Sequence, residues 1–249
     1  MNPYKQVLEK SVESYELYLP HISIDTVIFG FSANELKVLA IKMKFNQQWF
    51  LPGGYLKKKE HVDAAAVRIL WERAGVSDIF LEEFAVFGNY GRSESSFADY
   101  DDGLWHKQRF VSIGYYALVN YHNVSPKADE MSEEFDWLDV NNLDQYTITM
   151  DHKEIILKAL LTLRERIAYK PIGYNLLPEK FTMTELQKLY ETILGRSLNR
   201  GNFYRKIKNM RILTKLNELR KGGAHKPQEL YSFDKENYEK ALQDGLDSW

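Results

Sequence analysis

The chain has 249 residues, 44% of them hydrophobic and 27% charged, which is a globular composition and enough length for one large domain or two ordinary ones. It contains no cysteine, so disulfides, thiolate zinc sites and cysteine nucleophiles are excluded, and a reducing cytoplasm is the fitting compartment. The net charge of -2 hides a polarised chain, because residues 1–169 sum to -7, residues 170–227 to +9 and the tail from residue 228 to -4. That asymmetry predicts two domains, 1–169 and 170–249, and points the second at a polyanion.

Met1–Pro20 is polar-interrupted, with Val7, Leu8, Val12, Tyr15 and Leu19 at roughly helical spacing. It has no apolar core of signal-peptide length, and no run approaches the roughly 18 apolar residues of a membrane helix. The β-branched runs Ile24–Phe31 and Glu35–Met43 predict two strands joined by Ser32-Ala33-Asn34. Trp49–Pro52 is a further extended piece stopped by Gly53-Gly54. A helix is expected from about Val62 to Ala74, closed by Gly75 in a left-handed turn. Phe80–Phe87, Phe110–Val119 and Phe135–Val140 read as strands, the second central because it is almost continuously apolar. Glu154–Ala168 is an amphipathic helix with Ile156, Leu160, Leu163 and Ile167 on one face.

Lys170–Pro178 marks the boundary. Beyond it, Thr182 and Glu185 form a capping box opening a helix to about Leu194, and Asn199 caps a second helix, Arg200–Leu213. A basic Gly-Gly hairpin over Lys215–Lys226 returns through Leu230–Phe233. Phe203, Ile207 and Met210 form an inward stripe, which leaves Arg200, Asn202, Arg205, Lys206, Lys208 and Asn209 outward. Arg and Asn at the start of an exposed helix are what base-edge reading in a major groove requires, and Lys221 and Lys226 on the hairpin can follow phosphates. The alternative is a basic surface used for protein contacts.

The 22-residue segment Gly88–Arg109 is longer than a compact domain carries without a reason. Its Glu94, Asp99, Asp101, Trp105, His106 and Arg109 are candidate effector-binding residues, since carboxylates accept hydroxyl hydrogen bonds and flat rings pack on sugar faces. The same wall repels a pyrophosphate. A solvated loop with no ligand is the alternative. His152 reads as a structural hydrogen-bonder.

The stretch Leu51–Val76 carries Gly54, Glu60, Arg68, Glu72 and Gly75 in the register of the Nudix box. The resemblance implies a Nudix-like α/β/α sandwich followed by a winged helix-turn-helix, an α+β chain. In that family several carboxylates on one helical face hold divalent metals, but here Ile69 and Arg73 stand at two of the acidic positions and only Glu72 remains. No catalytic residue, metal or cofactor is therefore assigned, and Glu60 and Arg68 are left the structural task of bracing loop against helix. With FTMTELQKLYETILGRSLNRGNFYRKI downstream, the chain resembles the Nudix-related transcriptional regulators of the NrtR type over about residues 20 to 235. This resemblance implies a homodimer that senses a metabolite and binds a double-stranded DNA operator. Effectors in that family include ADP-ribose, for regulators of NAD metabolism, and sugars such as L-arabinose, for regulators of carbohydrate use. The acidic, aromatic insert favours the sugar branch. The alternatives are an ADP-ribose-sensing regulator and a Nudix hydrolase of a nucleoside diphosphate derivative.

Overall fold

The computed structural model describes residues 3–77, 79–126, 131–167, 170–220 and 227–244. By internal contacts they form two compact units, Met1–Gly30 with Lys37–Ala159, and Phe31–Leu36 with Leu160–Trp249. Among the described residues no helix is long and apolar enough to cross a membrane.

The first unit opens with α1 (Pro3–Leu17), followed by strands β1 (Tyr18–Ser32), β2 (Glu35–Met43), β3 (Trp49–Phe50) and β4 (Gly53–Lys57). Helix α2 (Val62–Ala74), strands β5 (Phe80–Phe87), β6 (Val111–Asn120) and β7 (Ser132–Asp139), and the part of helix α3 (His152–Arg166) up to Ala159 complete the order. Among the described residues these strands make one sheet in the order β3-β2-β1-β6-β5, with β4 also pairing β1 and β7 pairing β2. The apolar runs take the middle: Ile24, Val27, Ile28 and Phe29 of β1 and Tyr115–Val119 of β6 are all buried. Helix α2 lays Ala65, Ala66, Ile69, Leu70 and Ala74 on this sheet, against Ile24, Leu56 and Tyr115 in one cluster and Ile28, Leu39 and Ala117 in another. Gly75, at φ 70°, ends α2 by donating its N–H to the Trp71 carbonyl, as its left-handed position requires.

Two differences from the sequence reading bear on the site. The lead-in is a full helix, α1. The Gly53-Gly54 pair does not stop a strand but begins one, β4, paired antiparallel to β1 through Asp25↔Gly53 and Ile24↔Gly54. A Cβ on Gly53 would lie 2.8 Å from Asp25 Oδ1 and 2.9 Å from the Ile24 carbonyl oxygen, so only glycine lets the backbones approach this closely.

The second unit contains β8 (Phe181–Thr182), α4 (Met183–Leu194), α5 (Arg200–Asn209), β9 (Leu213–Arg220), β10 (Gln228–Phe233) and α6 (Lys235–Asp244). The strands pair in the order β8-β10-β9. The capping box forms as expected: Thr182 Oγ1 accepts from the Glu185 N–H at 3.2 Å while the Thr182 N–H donates to Glu185 Oε2 at 2.7 Å. Asn199 caps α5 by accepting from the Asn202 N–H at 3.0 Å. Helix α5 stops at Asn209, short of Leu213. Arg211 turns the chain at φ 54°, and Leu213 is taken up by strand pairing with Phe233. The acidic tail supplies an unexpected helix, α6, whose buried Tyr238 donates its hydroxyl to the Pro171 carbonyl at 3.0 Å.

Candidate functional site

The Gly54–Val76 segment keeps its scaffold through one arginine. Arg68 donates from Nε to Glu60 Oε1 and from NH2 to Glu60 Oε2, both at 2.7 Å, and reaches the Tyr55 carbonyl at 3.0 Å. Its NH1 also donates to Glu72 Oε2 at 3.0 Å. The guanidinium therefore ties β4, the following loop and α2 together, and it holds the Glu60 carboxyl below the usual carboxylate range. This is the bracing expected for Glu60 and Arg68. Arg73 donates from Nε to the Gly53 carbonyl at 3.2 Å. Ile69 is buried among Ile24, Leu56 and Tyr115.

Divalent metal chemistry does not fit this donor set. Of the acids present, Glu60 gives both oxygens to Arg68, Glu72 is bonded to the same guanidinium, and position 69 is hydrocarbon. Among the described residues no three His, Asp or Glu side chains gather as a metal would need.

Beside this scaffold opens a cavity of about 770 Å³, within the range of small-molecule sites. Gly53, Gly54, Arg68, Glu72 and Arg73 line one part of it, Phe45, Phe50, Phe97 and Phe110 supply rings, and Asp25, Arg92 and His152 supply buried polar groups. Arg92 binds Asp151 through two hydrogen bonds of 2.8 Å and Asp25 Oδ2 at 3.1 Å. Burial opposes the Arg92 charge, but Asp151 and Asp25 outweigh it and raise its pKa. The Ser112 hydroxyl donates to Asp25 Oδ2 at 2.6 Å. His152 Nδ1 accepts from the Leu51 N–H at 3.0 Å, so the ring proton sits on Nε2, 3.8 Å from Asp25 Oδ1. Burial lowers the His152 pKa. The structural hydrogen bond expected of His152 is thus present.

Asp25, Arg92 and Asp151 were not among the sequence candidates. One signal was available: Asp25 is a lone acid in the apolar strand Ile24–Phe31. Its partners Arg92 and Ser112 are 67 and 87 positions away, so only the fold brings them together.

The insert behaves differently from expectation. Of Glu94, Asp99, Asp101, Trp105, His106 and Arg109, only His106 lines the cavity. Asp99, Asp101 and Arg109 are exposed, with Asp101 spent on the Gly103 N–H and Arg109 on the Gly88 carbonyl. Glu94 folds back on the Ser93 N–H at 3.0 Å. Trp105 is fully buried, its ring 4.4 Å from Tyr55 and 4.7 Å from Phe110, which makes it core and not a sugar platform. Burial drives the His106 pKa down to about 4, and its Nδ1 has no hydrogen-bond partner.

In the second unit Phe203 and Ile207 are buried, with Met210 half-buried, and Arg200, Asn202, Arg205, Lys208 and Asn209 are exposed on α5. Arg205 is steadied by Asn202 Oδ1 at 2.9 Å. Lys206 is half-buried, and burial lowers its pKa. Lys221 and Lys226 lie outside the described residues.

The Nudix domain family model matches residues 20–159, more than half of the chain. The chain belongs to the Nudix family. The NrtR DNA-binding winged helix domain matches residues 173–233, so a Nudix domain is followed by a winged helix of the NrtR type. Over 225 residues the chain is 27% identical to the ADPR responsive transcriptional repressor NtrR of Acinetobacter baylyi, an alignment covering 88% of this chain and 84% of that protein. It is 26% identical over 156 residues to the ADP-ribose pyrophosphatase of Methanocaldococcus jannaschii, covering 61% of this chain and 80% of the relative. The fold is that of Shewanella oneidensis NrtR, solved in complex with a 27mer DNA, with a TM-score of 0.72, 24% identity and coverage of 88% and 95% of the two chains. These likenesses do not support the sugar-responsive branch.

Proposed function

We propose that this Nudix chain is a ligand-responsive, DNA-binding transcription regulator whose cavity takes a metabolite of the ADP-ribose class without hydrolysing it. The observation that carries the reading is the state of the Nudix box. Its frame is intact through Glu60 and Arg68, while Ile69 has been absorbed into the core and Glu72 is held by Arg68. A frame conserved without a metal seat suits binding without turnover. The exposed Arg200, Asn202, Arg205 and Lys208 on α5 supply the groups for a DNA groove. The same domain order in a relative named as an ADPR responsive repressor supports the effector class. The sugar expectation rested on an acid-and-aromatic wall, and most of that wall faces away from the cavity or lies within the core. On this reading the protein works in the cytoplasm as a homodimer on an operator with two half-sites.

The test is retardation of genomic DNA fragments at low salt, with and without ADP-ribose, beside a thermal-shift screen of ADP-ribose against pentoses. Retention of an operator fragment and a rise in melting temperature with ADP-ribose are expected. A shift with L-arabinose and none with ADP-ribose would move the protein to the sugar branch.

Hydrolysis is the second reading, favoured by the likeness to an ADP-ribose pyrophosphatase. Incubation with ADP-ribose and Mg²⁺ separates the two. Product formation that disappears in Glu72→Gln would establish an enzyme.

A further inference from the structure

The family match begins at residue 20, yet the cavity does not. Helix α1 lies wholly before that point and contributes Lys10, Glu13 and Ser14 to the cavity lining. Among the described side chains of α1, Val7, Ser11 and Ser14 are buried, spaced as one helical stripe.

The stripe rests on the Gly88–Arg109 insert. Val7 packs with Phe97 and Leu104, Ser11 Oγ accepts the Trp105 N–H at 2.7 Å, and the Tyr15 hydroxyl donates to the Gly103 carbonyl at 3.1 Å. The insert in turn gives Phe97 and His106 to the cavity. The long insert thus has a structural use that its composition did not reveal: it is the platform that seats α1.

We propose that α1 and the insert form an effector-specific cap on the Nudix cavity, in which Lys10, Glu13 and Ser14 contact the ligand. The cap rests on the reading of the cavity as an effector site and adds the source of its selectivity. The box glycines and arginines form the inherited wall, and the cap supplies groups that the domain alone lacks. Glu13 can accept from ligand hydroxyls, and Lys10 can donate to a phosphate or hydroxyl oxygen. Lys10 and Glu13, both exposed, bond each other at 3.0 Å beside the cavity that they line.

The helix carries its own control. Lys5 and Glu9 form a similar pair at 3.7 Å on α1, exposed like Lys10 and Glu13, but neither lines the cavity. The experiment compares the full-length wild type, Lys10→Ala/Glu13→Ala and Lys5→Ala/Glu9→Ala by calorimetric titration with ADP-ribose, ADP, AMP, D-ribose and L-arabinose, with melting temperatures as a check on folding. The Lys10/Glu13 variant should bind the best wild-type ligand about tenfold more weakly or worse, as loss of charge-assisted hydrogen bonds implies, and the Lys5/Glu9 variant should match wild type. Equal affinity in all three proteins, or equal loss in both variants, would overturn the cap and leave the effector site standing. If the wild type binds a pentose alone and the Lys10/Glu13 variant loses it, the ADP-ribose reading falls and the cap survives. No binding by the wild type to any of the five would overturn both.

Discussion

A Cβ on Gly54 would lie 2.9 Å from Cγ1 of Ile69 and 3.1 Å from its Cδ1. The side chain that stands where the Nudix pattern has an acid is therefore packed against the backbone of the box itself. Replacing the lost carboxylates should not restore an enzyme. Ile69→Glu places a carboxylate among Ile24, Leu56, Ala65 and Tyr115, and a stability loss of about 3–5 kcal/mol is expected from an uncompensated buried charge. Urea denaturation reads the loss. Ile69→Glu/Arg73→Glu, assayed with ADP-ribose and Mg²⁺, should show no turnover, and measurable product from a folded variant would contradict this account of the site.

The Glu60–Arg68 pair is the brace that remains. Both side chains are mostly buried, and the geometry is bidentate. A double-mutant cycle with Glu60→Gln and Arg68→Met should give a coupling of about 1–3 kcal/mol, beyond the range of an exposed ion pair. Because Arg68 depresses the Glu60 pKa below 4.5 in the folded state, this contribution is present above that pH and is lost as pH falls through the folded value. In Arg68→Met the acid side of the stability profile should flatten.

His106 makes a second, separable demand on pH. Buried, its pKa falls from 6.5 to about 4, so between those values the unfolded chain binds the proton that the folded chain refuses. Stability should be intact above about pH 6.5 and decline toward pH 4, by on the order of 3 kcal/mol in total. His106→Phe should remove that portion of the decline. Melting temperatures measured across pH 4 to 7.5 test it, and an unchanged slope would mean that the ring is charged or solvated in the folded protein.

Arg205 and Lys208 are exposed on α5 and should be dispensable for folding. Arg205→Ala and Lys208→Ala should each weaken operator binding, and each should reduce the slope of log affinity against log salt by about 1 if the lost contact is to phosphate. For Arg205, a loss confined to one operator sequence with an unchanged salt slope would instead assign it to a base edge. Lys206, half-buried, should contribute less than either neighbour.

Local pattern made most of the scaffold legible. Alternation and apolar runs gave β1, β2, β5 and β6. The bounds of α2 and the cap at Gly75 were written in residue types with a narrow physical role. The Thr182–Glu185 box was equally plain, since both halves lie within four residues. What failed was long-range. The strand β4 was hidden because its two glycines resemble a stop until β1 is beside them. The Asp25–Arg92–Asp151 cluster joins three distant segments, and of the three only Asp25, a lone acid in an apolar strand, stands out alone. Trp105 and the insert acids were misplaced for the opposite reason. Their composition suits a sugar wall, but composition does not say which side of a loop faces the cavity, and the Trp105 indole lies against Tyr15 of α1.

The buried polar cluster also sets a polarity for whatever enters. Two carboxylates, Asp25 and Asp151, share the single Arg92 guanidinium there. Hydroxyl groups can be received at that end at little electrostatic cost, whereas a phosphate would meet like charge in a poorly hydrated setting. The lining also carries the cations Lys10, Arg68 and Arg73. A ligand with one anionic and one polyol end is therefore expected to turn its hydroxyls, and not its phosphates, toward Asp25 and Asp151.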